Sequence, residues 1–167
     1  MNTLPGKSVA RGVSTIAIAG CALSLSVHVL ALIGVYSKSI VNFGRGLFIG
    51  VFPVFFLAVL AQERLLSKFT FRDRMFRMFN PKFAHKVTWK LLLGQAPKWL
   101  RAVLMALFVN ALAQFALFAY QIIRSGSPSQ SAQLRIDSAY AAVFYAAAAT
   151  ILASYARTES ALDPDEL

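Results

Sequence analysis

Cysteine is nearly absent: Cys21 is the only one in 167 residues, so no disulfide framework can form and no Cys/His spacing suits zinc. Acidic residues are also few, seven against seventeen lysines and arginines. None falls inside the long apolar runs, with Glu63 and Asp137 at their edges. Cation-coupled transport usually rests on a buried Asp or Glu, so an ion-driven antiporter is disfavoured. The two histidines, His28 and His85, lie at different levels of the chain, which does not suit a haem held between two imidazoles. There is no acid pair for hydrolysis, no Ser/His/Asp arrangement and no glycine loop to cradle phosphate. These absences indicate a non-enzymatic protein with no cofactor and no metal.

What is present is apolar. Hydrophobic residues make up 57% of the chain and charged residues 14%, against roughly 45–50% and about 25% in ordinary globular proteins. A soluble fold of this length could not bury so much apolar surface. The expected fold is therefore an all-α membrane protein, a single domain with four transmembrane helices. About 20 helical residues cross about 30 Å of hydrocarbon, and four stretches meet that length: residues 13–36, 43–61, 102–123 and 138–156. Helices are required because lipid cannot satisfy open backbone groups. Pro53 in the second stretch removes a backbone hydrogen bond and predicts a kink there.

Lysine and arginine counts orient the chain. With the N-terminus inside, thirteen cations lie on the cytoplasmic side and four outside, namely Lys38, Arg45, Arg124 and Arg135. Both termini are thus expected in the cytoplasm. The rival reading, a cleaved signal peptide, fits poorly: the first apolar run of about 24 residues exceeds the usual core of about 7–15. Formal net charge is +10, and ten of the cations fall between Arg64 and Arg101. Concentration between two spans points to anionic lipid headgroups and away from nucleic acid.

This connection, residues 63–100, predicts an amphipathic interfacial helical segment between the second and third spans. Thr70 and Asp73 resemble a capping box opening a helix over 71–79, with Phe71, Met75, Met78 and Phe79 on one face and Arg74 and Arg77 opposite. Asn80-Pro81 can stop it and open a second helix. There Lys82, Lys86 and Lys90 form one stripe beside Phe83, Val87 and Leu91. Gly94 ends this helix and Pro97 begins the third span. A basic helix with a bulky apolar face lies in the headgroup plane, and Trp89 and Trp99 suit that level. The functional reading is recognition of anionic lipid or of an acidic membrane partner; the plain one is that these cations only enforce topology.

Within the spans, Ala17, Gly20, Cys21, Ser24, His28 and Ala31 share one face of the first helix, where small residues permit close approach. His28 is an ionisable group inside a span, a site hypothesis by default. Asn110, Gln114 and Gln121 share a face of the third. Counting depth at about 1.5 Å per residue places His28 within about 5 Å of the level of Gln114, so the two are expected to meet. The set His28, Asn110, Gln114 and Gln121 is then a polar cluster that either ties helices together or lines a path. In the fourth span Ala139, Ala142, Ala146, Ala149 and Ala153 make a packing seam, for which Gly46 and Gly50 of the second are a candidate partner. These seams can close one monomer or join two. Tyr140 and Tyr155 read as interfacial anchors, and residues 124–137 as a flexible outer loop.

The second half, residues 96–157, resembles a group of uncharacterised small bacterial proteins with four predicted spans. The resemblance lies in Pro97-x-Trp99 opening the third span, Asn110 within it, a polar outer loop and Phe144-Tyr145 in the fourth. Ser138-Ala139-Tyr140 stands where that group carries a glycine and a tryptophan. The likeness implies a bacterial inner membrane and carries no activity with it. The leading expectation is a membrane protein whose basic cytoplasmic platform contacts anionic lipids or a membrane partner. The alternative is a small transporter or channel component with a polar path near His28, Asn110 and Gln114. The small multidrug transporters also have four spans, but the membrane glutamate they rely on is missing here.

Overall fold

Each apolar run forms one long helix in the computed structural model, which describes residues 7–35, 37–67 and 95–161. The helices are α1 (Lys7–Leu32), α2 (Lys38–Ser67), α3 (Lys98–Ser125) and α4 (Gln130–Ala161), with no strand among the described residues. All four are long and apolar enough to cross a membrane, and by length and composition this is a multi-pass membrane protein. Of the interfacial segment, residues 68–94 lie outside the described residues.

The helix bounds differ from the apolar runs in instructive ways. α1 stops at Leu32, short of Tyr36, because Gly34 adopts a left-handed φ of 81°. Val35 N–H then donates to Leu30 O (2.9 Å) and Gly34 N–H to Ala31 O (3.4 Å), a Schellman closure of the last turn. α2 continues without a break through Pro53 to Ser67. α3 starts after Pro97 and ends at Gly126, φ 75°, whose N–H donates to Ile122 O (2.8 Å).

The largest departure is in α4. Residues 130–137 are helical, so the outer connection is a short turn instead of the flexible loop that its composition predicts. Ser129 caps the helix, its Oγ accepting from Ala132 N–H at 3.2 Å. Gln133 then donates to Asp137 at 2.8 Å one turn on. Asp137 is thereby placed within α4, two turns from its start, and not at the edge of a span.

α4 is the hub. Some 67% of its most apolar stretch is buried, against 11% for α3, and α1, α2 and α3 each pack on it. α1 runs antiparallel to α4, with Ser14 donating to Ala149 O (3.2 Å) near one end and His28 meeting Arg135 and Ser138 near the other. The alanine seam is buried at Ala139, Ala142, Ala146 and Ala149, but Ala141, Ala148, Tyr145 and Leu152 on other faces are buried too. Burial all round, instead of one stripe, is what a central helix requires. Small side chains make it possible: between helices in lipid, close packing replaces the hydrophobic effect as the driving force. Tyr155, expected at an interface, is only 2% exposed for the same reason.

Tyr145 fixes the spacing of three helices. A Cβ on Gly20 of α1 would stand 2.6 Å from its ring, and one on Gly50 of α2 would stand 2.8 Å from its hydroxyl. That hydroxyl donates to Leu47 O at 3.1 Å. Of the proposed glycine pair on α2, only Gly50 faces α4; Gly46 has nothing within 4 Å of its Cβ position. The second close approach belongs to Gly44, which meets Leu134. Gly44 and Gly50 are six positions apart in sequence, where the glycines of G-x-x-x-G are four apart. Phe55 of α2 also meets Phe144 of α4 edge to face, centroids 5.4 Å apart.

Candidate functional site

The polar residues of the bundle converge where α1, α3 and α4 meet. His28, 3% exposed, projects from the buried face of α1 that the small residues predict. Its Nδ1 lies 3.1 Å from both the Arg135 carbonyl and the Ser138 hydroxyl of α4. Its Nε2 lies 3.3 Å from the Asn110 side-chain nitrogen of α3. Both ring nitrogens are therefore engaged by protein groups.

Ser138 fits this buried place because its hydroxyl donates back to Leu134 O (2.7 Å) on its own helix, as Thr150 does to Ala146 O (2.6 Å). Arg135 has a second task. Its Nε donates to Ala31 O at 3.1 Å, placing a cation at the C-terminal end of α1, where the helix dipole favours one. On the same helix Asp137 takes its hydrogen bond from Gln133, and Arg45 of α2 attracts it electrostatically. One turn before His28, the fully buried Ser24 hydroxyl meets no hydrogen-bond partner among the described residues.

No protein-family model matches this chain, and neither the curated proteins nor the solved structures yield a match.

The structure brings together two of the four intramembrane residues singled out from the sequence, His28 and Asn110. The expected meeting of His28 with Gln114 is replaced by the contact with Asn110, one turn nearer the start of α3. Counting depth assumes that the two helices start level and cross without tilt, and the contact with Asn110 departs from that assumption. Gln114 and Gln121 are half-buried on the inward face of α3. The sequence does not point to Arg135, which lies in the stretch 124–137 whose composition reads as loop, nor to Ser138, the first residue of the expected fourth span; α4 begins eight residues before Ser138 and holds both. Of the interfacial set, Trp99 is 56% exposed in the first turn of α3. Arg74, Arg77, Lys82, Lys86, Trp89 and Lys90 lie outside the described residues.

The opposite end of the bundle gathers the start of α1, the end of α2, the start of α3 and the end of α4. Ala10, Ala61, Leu100, Tyr155 and Ala156 are buried in the same core cluster. Arg157 donates to Gln95 O at 3.2 Å, tying the end of α4 to the approach to α3.

Proposed function

We propose that this protein is a membrane scaffold whose basic connection between α2 and α3 forms a cytoplasmic platform for anionic lipid headgroups. One observation carries the reading. α1 and α3 run against α4 (Ser14 on Ala149, Gln95 on Arg157) and α2 runs with it (Gly44 by Leu134, Gly50 by Tyr145), so the end of α2 and the start of α3, which bracket the connection, lie with the start of α1 and the end of α4. On this reading the ten cations from Arg64 to Arg101 lie at that end of the bundle, with Arg11 and Arg157. Exposed Lys98 and Trp99 mark that face at the level of the bilayer interface. The positive-inside rule makes it the cytoplasmic side, and the likeness of the second half to bacterial four-span proteins suits an inner membrane. The alternative, a polar path near His28, Asn110 and Gln114, is less well supported. Protein groups occupy both nitrogens of His28, which favours a tie between helices.

The two tryptophans of the chain, Trp89 and Trp99, provide the test. Full-length protein in mixed vesicles is titrated with brominated phosphatidylglycerol or brominated phosphatidylcholine, and tryptophan quenching gives the relative affinity. The wild type is expected to prefer the anionic lipid several-fold, and the preference to fall with added salt. Replacing Lys82, Lys86 and Lys90 together with Gln removes up to about 1 kcal/mol per cation and brings the ratio toward one. An unchanged ratio in the triple variant rejects the platform.

A further inference from the structure

The hydrogen bonds around His28 determine which of its nitrogens carries a proton. The Ser138 hydroxyl spends its hydrogen on Leu134 O at 2.7 Å, with Arg135 O at 3.1 Å as a further acceptor. Its oxygen therefore faces His28 Nδ1 as an acceptor, and the Arg135 carbonyl facing the same nitrogen can only accept. Nδ1 is the protonated nitrogen. In the neutral ring Nε2 is then a bare acceptor, and Asn110 must present its NH2 group, 3.3 Å away. In the imidazolium Nε2 also bears a proton and needs the Asn110 carbonyl oxygen instead. The two ends of a carboxamide are nearly the same size. A half-turn of the Asn110 side chain exchanges them without moving either helix.

One charged group acts on this ring directly. Arg135 of α4 acts on it electrostatically while its Nε is held by Ala31 O. Asp137 of α4 is engaged by Gln133 and drawn to Arg45 of α2. α3 presents neutral Asn110 and carries its cations, Lys98, Arg101 and Arg124, toward its ends. Between Arg11 and Leu32 α1 has no charged residue, and its one other titratable group there, Cys21, lies two turns away. Among the described residues, Asn110 makes the only side-chain hydrogen bond from α3 to another helix.

We propose that His28 and Asn110 form a proton-coupled tie between α1 and α3, in which one proton taken up at His28 Nε2 turns the Asn110 carboxamide end for end. The step adds a solvent proton to a ring lone pair and breaks no covalent bond. It stands apart from the lipid platform, which lies at the other end of the bundle. α3, the least buried of the four helices, is the element whose attachment then carries the protonation state of α1.

The test is NMR of the full chain in lipid nanodiscs, with 15N-labelled histidine and asparagine, between pH about 4 and 9. The chain has two histidines, and His85→Gln assigns the pair. The expected result is that His28 Nε2 changes from a bare to a protonated nitrogen and that the Asn110 NH2 resonances move with the same midpoint. In Asn110→Leu the His28 midpoint is expected to shift by about one pH unit, since each unit reports about 1.4 kcal/mol of differential interaction. A His28 that does not titrate in this range overturns the proposal. So does an Asn110 amide that stays fixed while His28 titrates. Both of these outcomes are read from the wild type, whatever the fate of the variant.

Discussion

At the scale of single residues the bundle depends on close contacts that leave no room for an added methyl. Tyr145 is held by its hydrogen bond to Leu47 O, with Gly20 against its ring and Gly50 against its hydroxyl. It cannot swing aside to admit a Cβ. Gly20→Ala is expected to destabilise the protein by about 1–3 kcal/mol, the usual cost of overpacking, measured by reversible unfolding in mixed micelles. Gly46→Ala, with open space around it, is expected to stay within about 0.5 kcal/mol of wild type. The buried hydroxyls divide in the same way. Ser138→Ala deletes an acceptor of His28 and is expected to cost about 0.6 to 1.7 kcal/mol, the range for interhelical hydrogen bonds in membranes. Ser24→Ala removes a buried hydroxyl without a partner among the described residues and should leave the melting temperature unchanged or raise it.

At the scale of elements, four long helices follow directly from the apolar runs, and the inward face of α1 from its spacing of small residues. Ala17, Cys21, Ser24, His28 and Ala31 are all buried. The start of α4 was not legible. Its buried residues there, Ala132, Leu134, Ile136 and Ser138, step by two, between half-buried Ser131, Gln133, Arg135 and Asp137. A helix surrounded by three others has no single apolar stripe, so the 3.6-residue period that marks an amphipathic helix is lost. With residues 124–137 read as loop, Arg135 is not recognisable as a partner of His28, and Ser138 stands only at the start of the span. The same central position decides how substitutions act. Ala142→Leu or Ala148→Leu, at positions fully buried in α4, is expected to cost about 1–3 kcal/mol or prevent assembly. Ala106→Leu or Ala113→Leu on the exposed face of α3 should change little. Resistance to unfolding in SDS compares the four variants directly.

At the scale of the whole molecule, a central helix with three around it brings the start of α1, the end of α2, the start of α3 and the end of α4 to one end of the bundle. The turns after α1 and α3 lie at the other, where Val27, Ala31, Val41 and Leu134 cluster. Charge and architecture thus agree, although the charge count came from sequence and the arrangement from packing. The most direct test is labelling of single cysteines with a membrane-impermeant maleimide, in a Cys21→Ala background. The cysteines are placed at Ser8, His85 and Arg157 for one end, and at Ser37 and Ser127 for the other. In intact cells Ser37→Cys and Ser127→Cys are expected to react, while the other three react only after the membrane is opened. Labelling that places Ser37 and Ser127 on different sides, or either on the same side as His85, would contradict the four-span arrangement.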